Sequence, residues 1–229
     1  LNMGVTAENL HDRFPSLTRE RADAYGVASQ EKYAKALADG RIQQDLVPVA
    51  VWSEEKGWGL ATADEPPRPG TTMEGIGNLK TPFRPHGRVT AANASPLTDG
   101  ATACIVAAAE TAEELGLPVK MRLVSFAFAG VDPEFMGVGP IPATEKVLAL
   151  LDHYGIADDD PRVNPWGGAI AIGHPLASSG VRLFSQLARH FEAHPEVRYG
   201  MTSMCVGLGQ GGTVIWENPH HADYGKDAS

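Results

Sequence analysis

The sequence predicts an α/β fold, and three observations lead there. Helical and β-rich stretches alternate along its 229 residues. Residues 176–193 set Val181, Leu183, Phe184, Leu187 and Phe191 at the 3.6-residue period of an amphipathic helix. Two β-rich runs, 199–205 and 213–216, flank a glycine loop.

Each element has a local reason. Residues 1–13 are short and mixed and receive no element. Thr18 is a helix N-cap, and the helix it opens runs to about residue 39, where Gly40 stops it. Its Ala-rich, charged character marks a surface helix. Residues 46–52 read as a strand. Residues 52–77 are rich in Gly, Pro and acidic side chains, and read as loop with one short helix. Residues 89–93 are expected to be extended. Residues 99–108 end in the apolar run 103–108, a buried strand or the start of a helix. A helix over 110–115 stops at Gly116 and Pro118. Residues 121–129 read as a strand and 142–153 as a helix. Residues 164–173 form a glycine-punctuated turn region, and 219–229 a polar tail expected to be disordered.

Composition excludes several classes. Lys+Arg number 19 and Asp+Glu 28, a formal net charge of −9. An acidic chain is a poor nucleic-acid ligand, because that affinity rests on neutralising phosphates. Apolar residues make up 43% and aromatic ones 7%, so the core is built from Ala, Val, Leu and Ile. No apolar run has the length of a membrane span. Cys104 and Cys205 are the only cysteines, which fits a reducing compartment and a cytoplasmic protein rather than a disulfide framework. The first residue is Leu1, so the natural start, and any targeting signal with it, is expected to precede this sequence.

Three regions can carry chemistry. In the first, residues 164–175, glycines let the backbone turn tightly and approach a ligand. Pro175 suits the first turn of a helix, which would put His174 at a helix N-terminus. There the dipole disfavours imidazolium and leaves a neutral base. The bland alternative is a structural loop histidine. In the second, residues 204–212, Cys205 closes a strand and opens a glycine loop whose amides could hold an oxyanion. A thiol beside such donors is expected to have a lowered pKa, unless it is simply a small buried hydrophobe. The spacing Gly207-x-Gly209-x-x-Gly212 imitates a dinucleotide fingerprint, but a β-rich run follows it where that motif needs a helix. Cys104, inside its alanine-rich run, reads as an inert core thiol. In the third region, 79–88, Lys80, Arg84, Arg88 and His86 would meet an anionic ligand or form a solvated basic loop.

These segments, in this order, resemble a thiolase of the acetyl-CoA acyltransferase type. The matching stretches are Met3-Gly4-Val5-Thr6-Ala7-Glu8-Asn9, Ala28-Ser29-Gln30, Val89-Thr90-Ala91-Ala92-Asn93-Ala94-Ser95, Asp99-Gly100-Ala101, Val131-Asp132-Pro133, residues 136–144, Gly167 through Pro175, and Cys205 with its glycines. The resemblance implies a layered α/β/α thiolase fold, in part. It divides the chain into a loop domain (1–88), the end of an N-terminal half (89–120), a C-terminal half (121–218) and the tail (219–229). It also implies roles. His174 would be the base that activates a nucleophilic cysteine. Cys205 would be the acid/base that moves a proton at the α-carbon of acetyl-CoA. Ser95, Arg68, Ala91, Phe83, Leu97 and Met3 would contact the CoA nucleotide or pantetheine, and Met136 would lie beside the acyl group.

The resemblance implies no metal and no redox cofactor, with a coenzyme A thioester as substrate. Partners would be acyl-CoA and CoA, in a homodimer or homotetramer or within a β-oxidation complex. The reaction expected is thiolytic cleavage of a 3-ketoacyl-CoA, or the reverse Claisen condensation. Alternatives are a biosynthetic acetoacetyl-CoA thiolase and a non-catalytic CoA- or lipid-binding subunit. Two departures stand out. Thiolases carry their nucleophilic cysteine upstream of the stretch that begins at Met3, and neither Cys104 nor Cys205 sits at that place. Their Asn-Glu-Ala-Phe segment is absent between Thr144 and Asn164, so a missing segment is expected near residues 147–150. Trp166 resembles the β-subunits of fatty-acid oxidation complexes.

Overall fold

A computed structural model describes residues 2–148 and 160–226. The chain divides into two compact units. The first comprises residues 2–99 with 160–176 of the described chain, the second 100–148 with 177–226.

The first unit is mainly helical. Helix α1 (Met3–Arg13) is capped by Asn2, whose side chain accepts from the Gly4 amide at 2.9 Å. It occupies the stretch expected to have no element. Its buried residues are Gly4, Thr6, Glu8 and His11, so no apolar period announces it. Helix α2 (Arg19–Ala38) follows the expected design. Thr18 accepts from the Arg21 amide, and Gly40 takes φ +70° past the end. It is not merely a surface helix, since Tyr33 and Ala36 enter a core with Ile42, Trp166, Ala171 and Ile172.

Strands β1 (Val49–Ser53) and β2 (Gly57–Ala61) pair antiparallel, with Trp52 opposite Trp58. β2 corrects the loop expected there, because Gly57 and Gly59 mask a strand whose side chains are exposed or half-exposed. The short helix expected in that stretch is α3 (Met73–Ile76). Residues 90–93 form a turn rather than extended chain. The Asn93 amide donates to Thr90 O, and Asn93 Oδ1 accepts from the Thr90 amide at 2.8 Å.

The second unit is a three-stranded antiparallel sheet in the order β3-β5-β4, where β3 is Arg122–Gly130, β4 Tyr199–Val206 and β5 Gln210–Glu217. Helix α5 (Pro140–Leu148) packs on one face, where Thr144 and Thr213 share a hydroxyl bond at 2.9 Å. Helix α7 (Ser179–Ala193) covers the other, with Phe184 on Trp216 and Leu187 and Phe191 against Gly200. Successive strand residues face opposite sides, so the helix–sheet–helix layering follows from β5 alone. Helix α4 (Ala109–Glu114) ends at Gly116 as expected.

The apolar run 103–108 is neither buried nor regular. Ile105 and Val106 are 85% and 87% exposed, and Cys104 is exposed rather than a core thiol. No described strand pairs with this run, so its β-propensity finds no ladder. The tail is anchored through Lys226. Buried Asn218 donates to Phe191 O, His194 O and Val197 O, the Gly225 amide reaches Glu217, and Arg122 lies over the Tyr224 ring. Of the helix expected over 142–153, α5 accounts for the part up to Leu148, and the remainder lies outside the described residues. The segment expected to be missing near 147–150 reaches beyond them too.

Candidate functional site

Seven of the nine candidate residues fall in the first unit: Met3, Arg68, Phe83, Ala91, Ser95, Leu97 and His174. Met136 and Cys205 fall in the second.

His174 does not sit at a helix N-terminus. Four residues separate it from α7, which starts at Ser179. It follows Gly173, the C-cap of the short helix α6 (Ala169–Ile172). The helix-start position that would favour its neutral form is therefore absent. Pro175 leads into the turn 176–178 instead of a first helical turn.

Glycines shape this approach as expected. Gly167, Gly168 and Gly173 take φ of +98°, +76° and +87°, conformations that favour glycine. A Cβ on Gly167 would stand 2.5 Å from Ser29 O. The Ser29 hydroxyl in turn donates to Gly167 O at 2.6 Å.

The backbone of His174 is tied to a second segment. Its amide donates to Pro96 O at 2.9 Å, between the candidates Ser95 and Leu97. Ser95 and Leu97 are exposed, Leu97 at 83%. The Thr98 side chain lies against Gly173, and its hydroxyl is buried without a hydrogen-bond partner among the described residues. Sequence reasoning missed Pro96 and Thr98, because nothing local to either residue announces a contact so distant along the chain.

The other first-unit candidates lie at α1, in the 90–93 turn and in the loop 65–68. The Phe83 ring rests on Gly4, whose added Cβ would be 2.3 Å from it, next to half-exposed Met3. Ala91 lies in the 90–93 turn. The Arg68 guanidinium donates to Glu65 O, Pro66 O and Pro67 O, so it braces its own loop.

The basic loop is likewise partly structural. Arg84 pairs with Asp12 and donates to Asn9, and Arg88 donates to His11 O. Buried Glu8 accepts from the Arg88 and Val89 amides. Lys80 is exposed.

A cavity of about 500 Å³ lies along α2, lined by Arg21, Tyr25, Ser29, Lys32 and Asn164 among others, and by none of the nine candidates.

In the second unit, Cys205 pairs with Gly211 across the hairpin of β4 and β5, just before the turn 207–209. Val131 donates its amide to Gly209 O at 2.7 Å. The 3-10 turn Pro133–Val138 carries buried Met136 against both strands. At its end Gly139 touches the backbone of Gln210 and Gly211. Cys205 and Met136 are thus set on adjoining segments. Burial pushes the Cys205 thiol above its ordinary value of 9.0, against the opposing pull of a backbone hydrogen bond. The expected lowering is corrected, because desolvation outweighs the amides.

One unit is a layered α/β sheet with a thiol at a hairpin turn, and the other is mainly helical, with a histidine among glycines. Residues 1–110 match the thiolase N-terminal domain and residues 150–218 the thiolase C-terminal domain. The chain belongs to the thiolase family. It is 41% identical to acetyl-CoA acetyltransferase of Pseudomonas aeruginosa, over 92% of this chain and 58% of that protein. It is 38% identical to human peroxisomal 3-ketoacyl-CoA thiolase, over 95% of this chain and 57% of that protein. Among solved structures it superposes on a Bacillus anthracis acetyl-CoA acetyltransferase with TM-score 0.85 and 32% identity, over 95% of this chain and 60% of that one. The chain thus spans less than two thirds of these relatives' length. Among the described residues no helix is long and apolar enough to cross a membrane.

Proposed function

We propose that the protein of which these residues form part transfers acyl groups between CoA thioesters, cleaving a 3-ketoacyl-CoA with CoA or running the reverse condensation. The observation that carries this reading is the bond from the His174 amide to Pro96 O, which joins the candidate base to the segment of the candidate CoA contacts Ser95 and Leu97.

His174 takes the proton of a cysteine thiol that the family carries upstream of Met3. The thiolate adds to the 3-keto carbon, and the bond between the α- and β-carbons breaks. Cys205 gives its proton to the α-carbon, releasing acetyl-CoA. The Cys205 thiolate then takes the proton of the CoA thiol, whose sulfur attacks the acyl-enzyme thioester; the enzyme thiolate leaves and recovers its proton from His174, and the shortened acyl-CoA is freed. Burial keeps Cys205 in the protonated form that this donation requires.

Arg68, Phe83, Ala91 and Met3 are assigned to CoA, and Met136 to the acyl group. The chemistry calls for no metal or redox cofactor. Assembly as a homodimer or homotetramer, or within a β-oxidation complex, belongs to the same reading, as does a reducing, cytoplasmic setting.

The test joins residues 1–229 to the upstream segment of the Pseudomonas relative and follows thiolysis of a 3-ketoacyl-CoA. Turnover is expected, with His174→Ala lowering it about 10²–10⁴-fold while CoA binding persists. A His174→Ala protein at full rate would remove His174 from the mechanism. Residues 1–229 alone, incubated with acetyl-CoA, should carry no acetyl group on Cys205 by mass spectrometry. An adduct there would make Cys205 the nucleophile.

A further inference from the structure

We propose that Thr98 is a positioning residue for His174, acting through its shape on the glycine that precedes it. The proposal rests on the reading of His174 as the base. The segment 95–98 grips the segment 173–174 at two points. Pro96 O accepts the His174 amide at 2.9 Å. Two residues on, the Thr98 side chain occupies the place of a side chain at position 173, since a Cβ there would be 2.4 Å from Cγ2 and 2.6 Å from Oγ1.

Gly173 is constrained from the other side as well. Its amide donates to Ala169 O at 2.9 Å, closing α6, and its φ of +87° favours glycine. Residue 173 is thus held between the end of a helix and a side-chain wall. The next Cα carries the imidazole, so rotation at 173 swings the ring.

The grip is steric rather than a tether. The Thr98 hydroxyl is buried and makes no hydrogen bond among the described residues. A buried hydroxyl in that state destabilises a protein and invites an explanation. Valine has nearly the same shape and no such hydroxyl. What the position uses is therefore the branched volume at Cβ. The same four residues present exposed Ser95 and Leu97, the candidate CoA contacts. One segment thereby sets the base in register with the ligand it serves.

The test is amide hydrogen exchange on residues 1–229, read at His174, with α2 amides as internal controls. Thr98→Ala should speed exchange at His174 by about tenfold or more relative to α2. Thr98→Val should keep the parent's protection there and raise Tm. In the fused, active protein, Thr98→Ala should lower kcat with little change in KM for CoA, and Thr98→Val should restore it. Should Thr98→Ala fail to fold, Thr98→Ser, which removes only the methyl group, takes its place in both measurements. Unchanged exchange at His174 in the Ala or Ser protein, or a Val protein as loose as the Ala one, would overturn the proposal. So would unchanged kcat in a loosened protein whose His174→Ala counterpart is impaired. If His174→Ala itself leaves turnover intact, the reading of the base has failed, while the exchange data still decide whether Thr98 holds the segment.

Discussion

The two glycine-rich stretches, 164–174 and 205–212, look alike in sequence and are held in different ways. In the first, groups distant in the chain stand beside two of the glycines, Ser29 O and Tyr33 at Gly167 and Thr98 at Gly173, while the nearby Asn164 side chain stands beside Gly168. In the second, a β-hairpin reverses direction, and only part of it is enclosed. Gly209 lies against Val131 O and Gly211 against the backbone of Gly139, while Gly207 faces open space and Leu208 is 86% exposed. Glycine count alone therefore says little. A glycine matters through the atom that stands where its Cβ would be.

Substitution at the enclosed glycines should show the largest effects. A Cβ at Gly211 would sit 2.0 Å from Gly139 C and 2.1 Å from its oxygen, backbone atoms with no rotamer to yield. Gly167 adds a positive φ to a 2.5 Å approach to Ser29 O. Each Gly→Ala change should lose about 3 kcal/mol or more of stability, the upper end of overpacking, measured by urea unfolding. A loss under about 1 kcal/mol at both sites would dissolve the distinction between enclosed and open glycines.

Next comes the ion cluster that closes the second unit. Glu217 is fully buried and accepts from Arg122 Nε at 2.7 Å and Arg198 Nε at 3.0 Å. Burial alone would raise its pKa, but the two arginines and the Gly225 amide together hold it below the ordinary 4.5. A carboxylate with a lowered folded pKa stabilises above its unfolded pKa, and that contribution is lost as pH falls through the folded one. Glu217→Gln should cost about 2–3 kcal/mol at pH 7, and much less at a pH below the folded value. Equal losses at both pH values would mean that the arginines do not act through charge.

Much of this was legible from the residues, and the failures have physical reasons. Thr18 and Gly40 bracket α2 because capping is local chemistry. The amphipathic period of α7 and the β4–β5 hairpin are local as well. Helix α1 was invisible because its buried face is Gly4, Thr6, Glu8 and His11, held by the contacts of Glu8 and His11 rather than by apolar burial. The run 103–108 was misread because an apolar sequence does not say whether a partner strand lies beside it. At the candidate site, the turn glycines stand where the sequence places them, whereas the helix-start setting of His174 and the lowered Cys205 pKa are both overturned. Both depend on neighbours in space. The thiolase resemblance supplied the order of the segments, which local rules do not give.

The thiols give a third comparison. Cys104 is exposed on its irregular segment, whereas Cys205 is partly buried and its pKa is raised above 9.0. Reaction rate follows the thiolate fraction and access. At pH 7, iodoacetamide should therefore label Cys104 about tenfold faster than Cys205, as read by peptide mass spectrometry. Faster labelling of Cys205 would show that the hairpin amides outweigh burial after all, and would reopen its reading as a nucleophile.

The smallest effect is expected at Gly207, and it sharpens the comparison most. This glycine sits two residues beyond Cys205 in the same turn as Gly209, yet no atom stands within 4 Å of its would-be Cβ and its φ does not call for glycine. Alanine there meets no clash and narrows the unfolded ensemble, which typically stabilises by about 0.4–1 kcal/mol where the native backbone accepts it. Gly207→Ala should therefore unfold at the parent's urea midpoint or slightly above, while Gly209→Ala, facing Val131 O at 2.3 Å with φ +84°, should unfold well below it. Two residues apart in one turn, they share sequence context and differ in backbone conformation and in what surrounds them. If Gly207→Ala instead destabilises by more than about 1 kcal/mol, open space at the would-be Cβ does not predict tolerance, and the contrast between enclosed and open glycines fails.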